Sequence, residues 1–325
     1  MTEFNIEEYL NSLREDVTEI HIYSKGIHYL PSLTKFKNLQ KLSCSNNRLT
    51  SLPALPENLE YLNCEDNQLK YLPDLPKTLK KLYCNINELT SLHALPKNLE
   101  YLHCNNNHLT SLPALPKNLE YLYCDNNQLT SLPALPKNLQ YLYCENNQLT
   151  SLPALPKNLT DLHCGNNKFT SLLPALPDSL VDLCCENNRL SSLPTLPRDL
   201  KHLYCEDNEI NSLPVLPKNL LYLFCSNNRL SSLPDLPETI MSVYFIDNLI
   251  YQIIRSDDLD IITNRIQVLN KFRYSFYSLK FKNQFRNWLW ERVRKPKIDE
   301  KYHPCKLMRY LYDENVDIEM VLSKW

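Results

Sequence analysis

The chain has 325 residues, a formal net charge of −2 at pH 7 and 43% hydrophobic residues. No apolar run approaches the ~18 residues needed to span a bilayer. The start, MTEFNIEEYLNSLRED, is acidic and amphipathic rather than a signal peptide, so a soluble cytoplasmic protein is expected.

In chain order, residues 1–16 read as an N-terminal helical cap. Asn5 to Arg14 predicts a short helix with Ile6, Tyr9, Leu10 and Leu13 on one stripe. Its expected role is to cover the first of the units that follow.

Residues 17–250 repeat one motif. The clearest copy is Leu119 to Asn138, LEYLYCDNNQLTSLPALPKN. Further copies begin at Leu39, Leu59, Leu79, Leu99, Leu139, Leu159, Leu180, Leu200, Leu220 and Ile240, and a looser one at Val17, which makes twelve units. A fixed period of twenty overrides the two-domain expectation from length, because stacked units grow without a single core.

Around Tyr121 to Asp125 the residues alternate. Leu122 and Cys124 are expected inward, and Tyr121, Tyr123 and Asp125 outward. The turn after each strand carries Asn47, Asn67, Asn87, Asn107, Asn127, Asn147, Asn167, Asn188, Asn208, Asn228 or Asn248, and only the first unit departs, with Lys25. A buried amide can both donate and accept towards neighbouring backbone. The return half, LPxLP, holds two prolines, so it is expected to be extended or polyproline-like rather than helical. Only two glycines occur, so turns must rest on Asn, Asp and Pro. An extra residue near Leu172–Leu173 predicts a bulge on the back.

The pattern LxxLxCxxNxL, repeated with LPxLP, resembles the leucine-rich-repeat family. Its short form resembles the repeats of bacterial secreted effectors. The resemblance implies a horseshoe solenoid with a parallel β-sheet on its concave face, and a protein-binding scaffold without enzymatic activity. Effectors of this style can carry a ubiquitin-ligase domain after the repeats, with a cysteine nucleophile in a large helical module. Here about 75 residues follow Tyr251, with Cys305 in HPCKL and no Cys-x-Asp, so that carry-over fails.

Ten of the twelve cysteines (Cys44, Cys64, Cys84, Cys104, Cys124, Cys144, Cys164, Cys185, Cys205 and Cys225) share one inward slot. They read as a reduced core ladder, since free Cys behaves as a small buried hydrophobe. The other reading is a metal or redox column.

The outward strand positions are acidic and aromatic. Glu65, Asp66, Asp125, Glu145, Asp161, Asp182, Glu186, Glu206, Asp207 and Asp247 lie there, against Lys41 and Lys81 only. Tyr101, Tyr121 and Tyr141 form one row, and Tyr83, Tyr123 and Tyr143 another; Tyr204, Tyr222, Phe224 and Tyr244 follow. Tyr simply suits strands, yet aromatics are also enriched in interface cores. The acids argue against nucleic acid on this face. The candidate protein-binding residues are Tyr101, Tyr121, Tyr123, Asp125, Tyr141, Tyr143, Glu145, His163, Asp182, Cys184, His202, Tyr204 and Glu206.

One patch departs from the consensus. In register, His163 sits beside Cys184, and Asp182 beside His202, on the open face. This is either chance on a variable surface, a thiol with a pKa lowered by His163, or a holder for a soft or borderline metal. No catalytic residue, metal or cofactor is assigned.

Residues 251–325 read as a C-terminal helical cap or tail. Asp257 to Asp260 starts a helix with Ile262, Ile266, Leu269, Phe272, Phe276 and Leu279 at helical spacing. A second piece, Phe285 to Val293, is ended by Pro296. Ten basic residues and one acid, Glu291, lie between Arg265 and Lys297. The piece is either a cap for the last unit or a basic segment for a membrane surface, a nucleic acid or an acidic partner. Two further short helices are expected to the C-terminus, with Leu307, Leu311, Val321 and Trp325 forming a small core. That ending resembles tails of giant viruses of amoebae, which implies a viral origin and a place in the host cytoplasm.

The expected function is a monomeric scaffold that binds a protein or peptide, a host protein if the chain is viral or bacterial. The alternatives are an adaptor that recruits a larger complex through its basic helices, and an effector-type enzyme built on Cys184 and His163.

Overall fold

The computed structural model describes residues 4–170 and 172–297. Each repeat contributes one three-residue strand. They are β1 Glu19–His21, β2 Lys41–Ser43, β3 Tyr61–Asn63, β4 Lys81–Tyr83, β5 Tyr101–His103 and β6 Tyr121–Tyr123, then β7 Tyr141–Tyr143, β8 Asp161–His163, β9 Asp182–Cys184, β10 His202–Tyr204, β11 Tyr222–Phe224 and β12 Ser242–Tyr244. They pair in sequence order as one parallel twelve-stranded sheet, with residues twenty-two apart in register between β1 and β2 and twenty apart from β2 to β8 and from β9 to β12. The solenoid is therefore a leucine-rich-repeat fold. Between β8 and β9 the offset becomes twenty-one, and His163 pairs with Cys184.

The extra residue is absorbed on the return side. Leu172 is 54% exposed while Leu173 is buried in the slot that the single leucine fills elsewhere. The sheet is undisturbed, because a return loop tolerates an insertion more readily than a ladder does.

The core is a stack of identical layers. Leu119, Leu122, Cys124 and Leu129 are fully buried, as are their counterparts in neighbouring units. The ten ladder cysteines are buried and unpaired. Burial pushes the Cys44 thiol up to about 12, since desolvation disfavours a thiolate. At the last unit Phe245 replaces the cysteine and fills its slot. Among the described residues the return segments contain neither helix nor strand, and each closes with a turn in which Leu139 N–H, for example, donates to Pro136 O at 3.2 Å.

The asparagine column binds the layers together. Asn127 Nδ2 faces three carbonyls, Cys104 at 3.0 Å, Cys124 at 3.2 Å and Asp125 at 3.1 Å. Its Oδ1 accepts from Leu109 N–H at 3.0 Å. Each amide thus satisfies its own turn and the previous unit. In the first unit, where Lys25 stands in the column, Asn47 Oδ1 takes the Lys25 and Ile27 N–H groups. The residue before each ladder asparagine from Asn47 to Asn248 has positive φ. Asn or Asp fills ten of these positions and tolerates that conformation, but one position holds Ile86 at φ 53°.

The N-terminal helix α1 spans Ile6–Ser12 and is shorter than expected. Asn5 caps it, accepting from Glu8 N–H. Ile6 and Leu10 are buried; Tyr9 and Leu13 are half-buried.

Beyond the sheet come α2, Tyr251–Ile254, and α3, Leu259–Leu289. Two compact units divide the chain within α3, residues 1–266 and 267–325. In the first unit Ile254, Ile262 and Ile266 are buried, and Arg265 donates to the Ile254 carbonyl. In the second, α3 runs on without a break. The two pieces expected from the sequence are one helix, because no breaker separates Leu279 from Phe285. Pro296 does not end it either. A wider π turn, Trp290–Arg294, precedes the proline, and residues 295–297 are helical. The apolar stripe is buried only as far as Ile266; Phe272, Phe276 and Leu279 are exposed. The helices and small core expected around Cys305, Leu307, Leu311, Val321 and Trp325 lie outside the described residues.

Candidate functional site

Alternation along each strand sends the leucine inward and the flanking residues out, so the sheet's free face is ruled by rows of identical slots. All thirteen candidate residues lie on this face. Twelve are half-buried; Cys184 is buried.

The rings stack. Tyr121 lies 4.3 Å from Tyr101 and 4.6 Å from Tyr141, nearly parallel to both. The next row runs Tyr83, His103, Tyr123, Tyr143, His163, with centroids 4.5, 4.2, 4.6 and 4.2 Å apart. After Cys184 it resumes with Tyr204, Phe224 and Tyr244. Strand spacing sets these distances, and offset stacking makes them favourable. Burial lifts the Tyr123 and Tyr143 hydroxyls above their usual range, with Asp161 adding to both. His103 belongs to the same row, tilted against both neighbours, and sequence reasoning passed it over. Its signal was the slot it shares with Tyr123. Burial between Tyr83 and Tyr123 lowers its pKa to about 4.

The acids form a third row beside the rings. Burial raises Asp125, Glu186 and Glu206 above the usual carboxylate range, with neighbouring acids adding to each. Glu186 lies over Gly165, where a Cβ would collide with its carboxylate. Gly165 therefore makes room for an acid one unit away, a role visible only in three dimensions.

The unusual patch comes together at β8, β9 and β10. His163 Nδ1 faces Glu145 at 3.3 Å, and its Nε2 faces Asp182 Oδ1 at 3.7 Å and Cys184 Sγ at 3.8 Å. Asp182 Oδ2 accepts from His202 at 2.7 Å. Burial lowers the His163 pKa, but Glu145, Asp182 and Asp161 outweigh it and the net shift is upward. Two expectations for Cys184 are corrected. Its side chain is buried among its neighbours rather than open, and its pKa is raised rather than lowered. Burial raises it most, and Asp182, Glu186 and Glu145 add to that.

Comparison with known proteins agrees with the geometry. A family model described as Leucine Rich repeats (2 copies) matches residues 97–137 and 137–178, and one described as Leucine Rich Repeat matches 38–57. A search of curated proteins gives no match. Among solved structures, YopM from Yersinia pestis, described as a leucine-rich effector protein, is 33% identical with a TM-score of 0.56. That alignment covers 71% of this chain and 78% of that one. The chain belongs to the leucine-rich-repeat family. YopM from Yersinia enterocolitica WA-314 is 38% identical with a TM-score of 0.67, over 72% of this leucine-rich-repeat chain and 56% of that one. This repeat protein thus spans little more than half the length of that relative. The leucine-rich-repeat domain of APL1, 20% identical with a TM-score of 0.56 over 70% of this chain and 66% of that one, shares the fold. The viral resemblance of the tail gains no support from these relatives. No helix among the described residues is long and apolar enough to cross a membrane.

Proposed function

We propose that this leucine-rich-repeat protein is a non-enzymatic scaffold that binds a protein or extended peptide on its sheet face, taken as the concave one. The continuous run of ring contacts Tyr83, His103, Tyr123, Tyr143 and His163, tilted on either side of His103 and stacked from Tyr123 on, carries this reading. Stacked rings are held in place before a partner arrives, so little side-chain entropy is lost on docking. The acid row beside them favours a partner segment with basic residues and disfavours phosphate. Similarity to an effector protein supports a host protein as the partner and the host cytoplasm as the place of binding.

The test is capture with Tyr121, Tyr123, Tyr141 and Tyr143 replaced by Ala. Loss of the captured partner, with the fold intact by circular dichroism, is expected. Undiminished capture moves the binding surface elsewhere.

An adaptor role through α3 is the second reading, and an observation favours it. Phe272, Tyr274, Phe281 and Trp288 are at least half exposed on a helix that carries Lys271, Arg273, Lys280 and Lys282. Trp288→Ala with Arg286→Glu in the full chain should remove a distinct set of partners and leave the sheet-face partner bound. Loss of no partner would end the adaptor reading.

A further inference from the structure

We propose that His163, Asp182 and Cys184 form a binding site for a divalent transition-metal ion of the zinc class, on the sheet face between β8 and β9. Three donor atoms of different chemistry converge there. His163 Nε2 lies 3.8 Å from Cys184 Sγ and 3.7 Å from Asp182 Oδ1, and Cys184 Sγ lies 3.6 Å from Asp182 Oδ1. An ion at the centre of so regular a triangle is ~2.1 Å from each atom, against zinc distances of ~2.0–2.2 Å to N and O and ~2.3 Å to S. Imidazole, thiolate and carboxylate are the mixed donor set that zinc and cobalt accept.

The surrounding groups are arranged as an outer shell. Glu145 sits at 3.3 Å from His163 Nδ1, where it takes that proton and leaves Nε2 free to ligate. His202 holds Asp182 by Oδ2, which turns Oδ1 towards the triangle. Asp161 has a donor atom within 4.8 Å of donors of His163 and Asp182, and Glu145 one within 4.8 Å of donors of His163 and Cys184, so carboxylates flank the triangle on two sides. The surroundings also favour a cation. Glu186 Oε2 and Glu206 Oε2 are shielded from solvent with no hydrogen-bond partner, and strands β7 to β10 carry no Lys or Arg. Binding replaces the Cys184 S–H bond with an S–metal bond, and the proton leaves to solvent.

The full chain, stripped of metal, is titrated with Zn²⁺ by calorimetry and with Co²⁺ by absorption. One equivalent per folded chain is expected, with a thiolate-to-cobalt charge-transfer band in the near ultraviolet. Cys184→Ser should abolish the band, and Asp182→Asn should weaken binding. Glu145→Gln, which leaves all three ligands in place, should weaken it ~10–100-fold. Circular dichroism confirms that each variant is folded. Absence of saturable binding to the wild-type chain overturns the proposal without recourse to any variant. A band that survives Cys184→Ser overturns it equally, since another thiol would then be the ligand.

Discussion

Asn147 reaches across a repeat boundary to donate to the Cys124 carbonyl at 3.0 Å, while its own Oδ1 receives Leu129 N–H at 2.9 Å. One side chain thus joins two strands' worth of backbone that the ladder leaves unpaired. The same bond set recurs along the column from Asn47 to Asn248.

From that relationship, Asn147→Ala should destabilise the protein by about 2–4 kcal/mol, because several buried backbone groups lose their partner at once. Urea unfolding followed by circular dichroism gives the value. A loss below about 0.5 kcal/mol would mean that water replaces the amide and that the column is not what ties the layers.

Ile86 should be a correctable weakness. It holds φ 53° at a position that neighbouring units give to Asn or Asp, and it is 44% exposed. A β-branched residue is strained there by about 1–2 kcal/mol. Ile86→Asn is therefore expected to stabilise by about 1 kcal/mol, read as a higher melting temperature. An unchanged or lower melting temperature would show that the isoleucine makes compensating contacts.

His103 should make the fold sensitive to acid. Its folded pKa is depressed to about 4 from an ordinary 6.5. Between those values the unfolded chain binds more protons than the folded one, so stability rises with pH across the window. The contribution is complete above about pH 6.5 and is lost as pH falls towards 4. His103→Tyr matches the ring in the same slot of the next unit and cannot take up that proton. It should lose less stability than wild type between pH 7 and pH 5 in paired urea titrations. Equal losses would assign the acid sensitivity to other groups.

Gly165 and Glu186 should be coupled. Gly165→Ala drives a methyl into the Glu186 carboxylate, which can swing aside. A modest loss of about 1 kcal/mol is expected, and in the Glu186→Ala background the same substitution should cost less. Additive effects would mean that the two do not meet in solution.

Much of the fold was legible before any coordinates. A period of twenty, alternation around Cys124 and an unbroken asparagine column fix a stacked parallel sheet. The reason is local: each unit is short, and its leucines have nowhere to go except against the next unit. Pairing His163 with Cys184 and Asp182 with His202 followed from counting, since parallel register in a solenoid is set by the repeat length.

What only the tertiary structure decided depends on distances between units and on what shields them from water. The sign of the Cys184 shift is such a case, because a neighbouring histidine is visible in sequence but the burial and the three carboxylates acting on the thiol are not. The same holds for the room that Gly165 leaves, for the strain at Ile86 and for His103 as one more ring in a row. It holds too for the end of α3, where a π turn and the helical residues 295–297 follow, a run past Pro296 that no apolar spacing announces. Periodicity names the neighbours; packing decides the electrostatics between them.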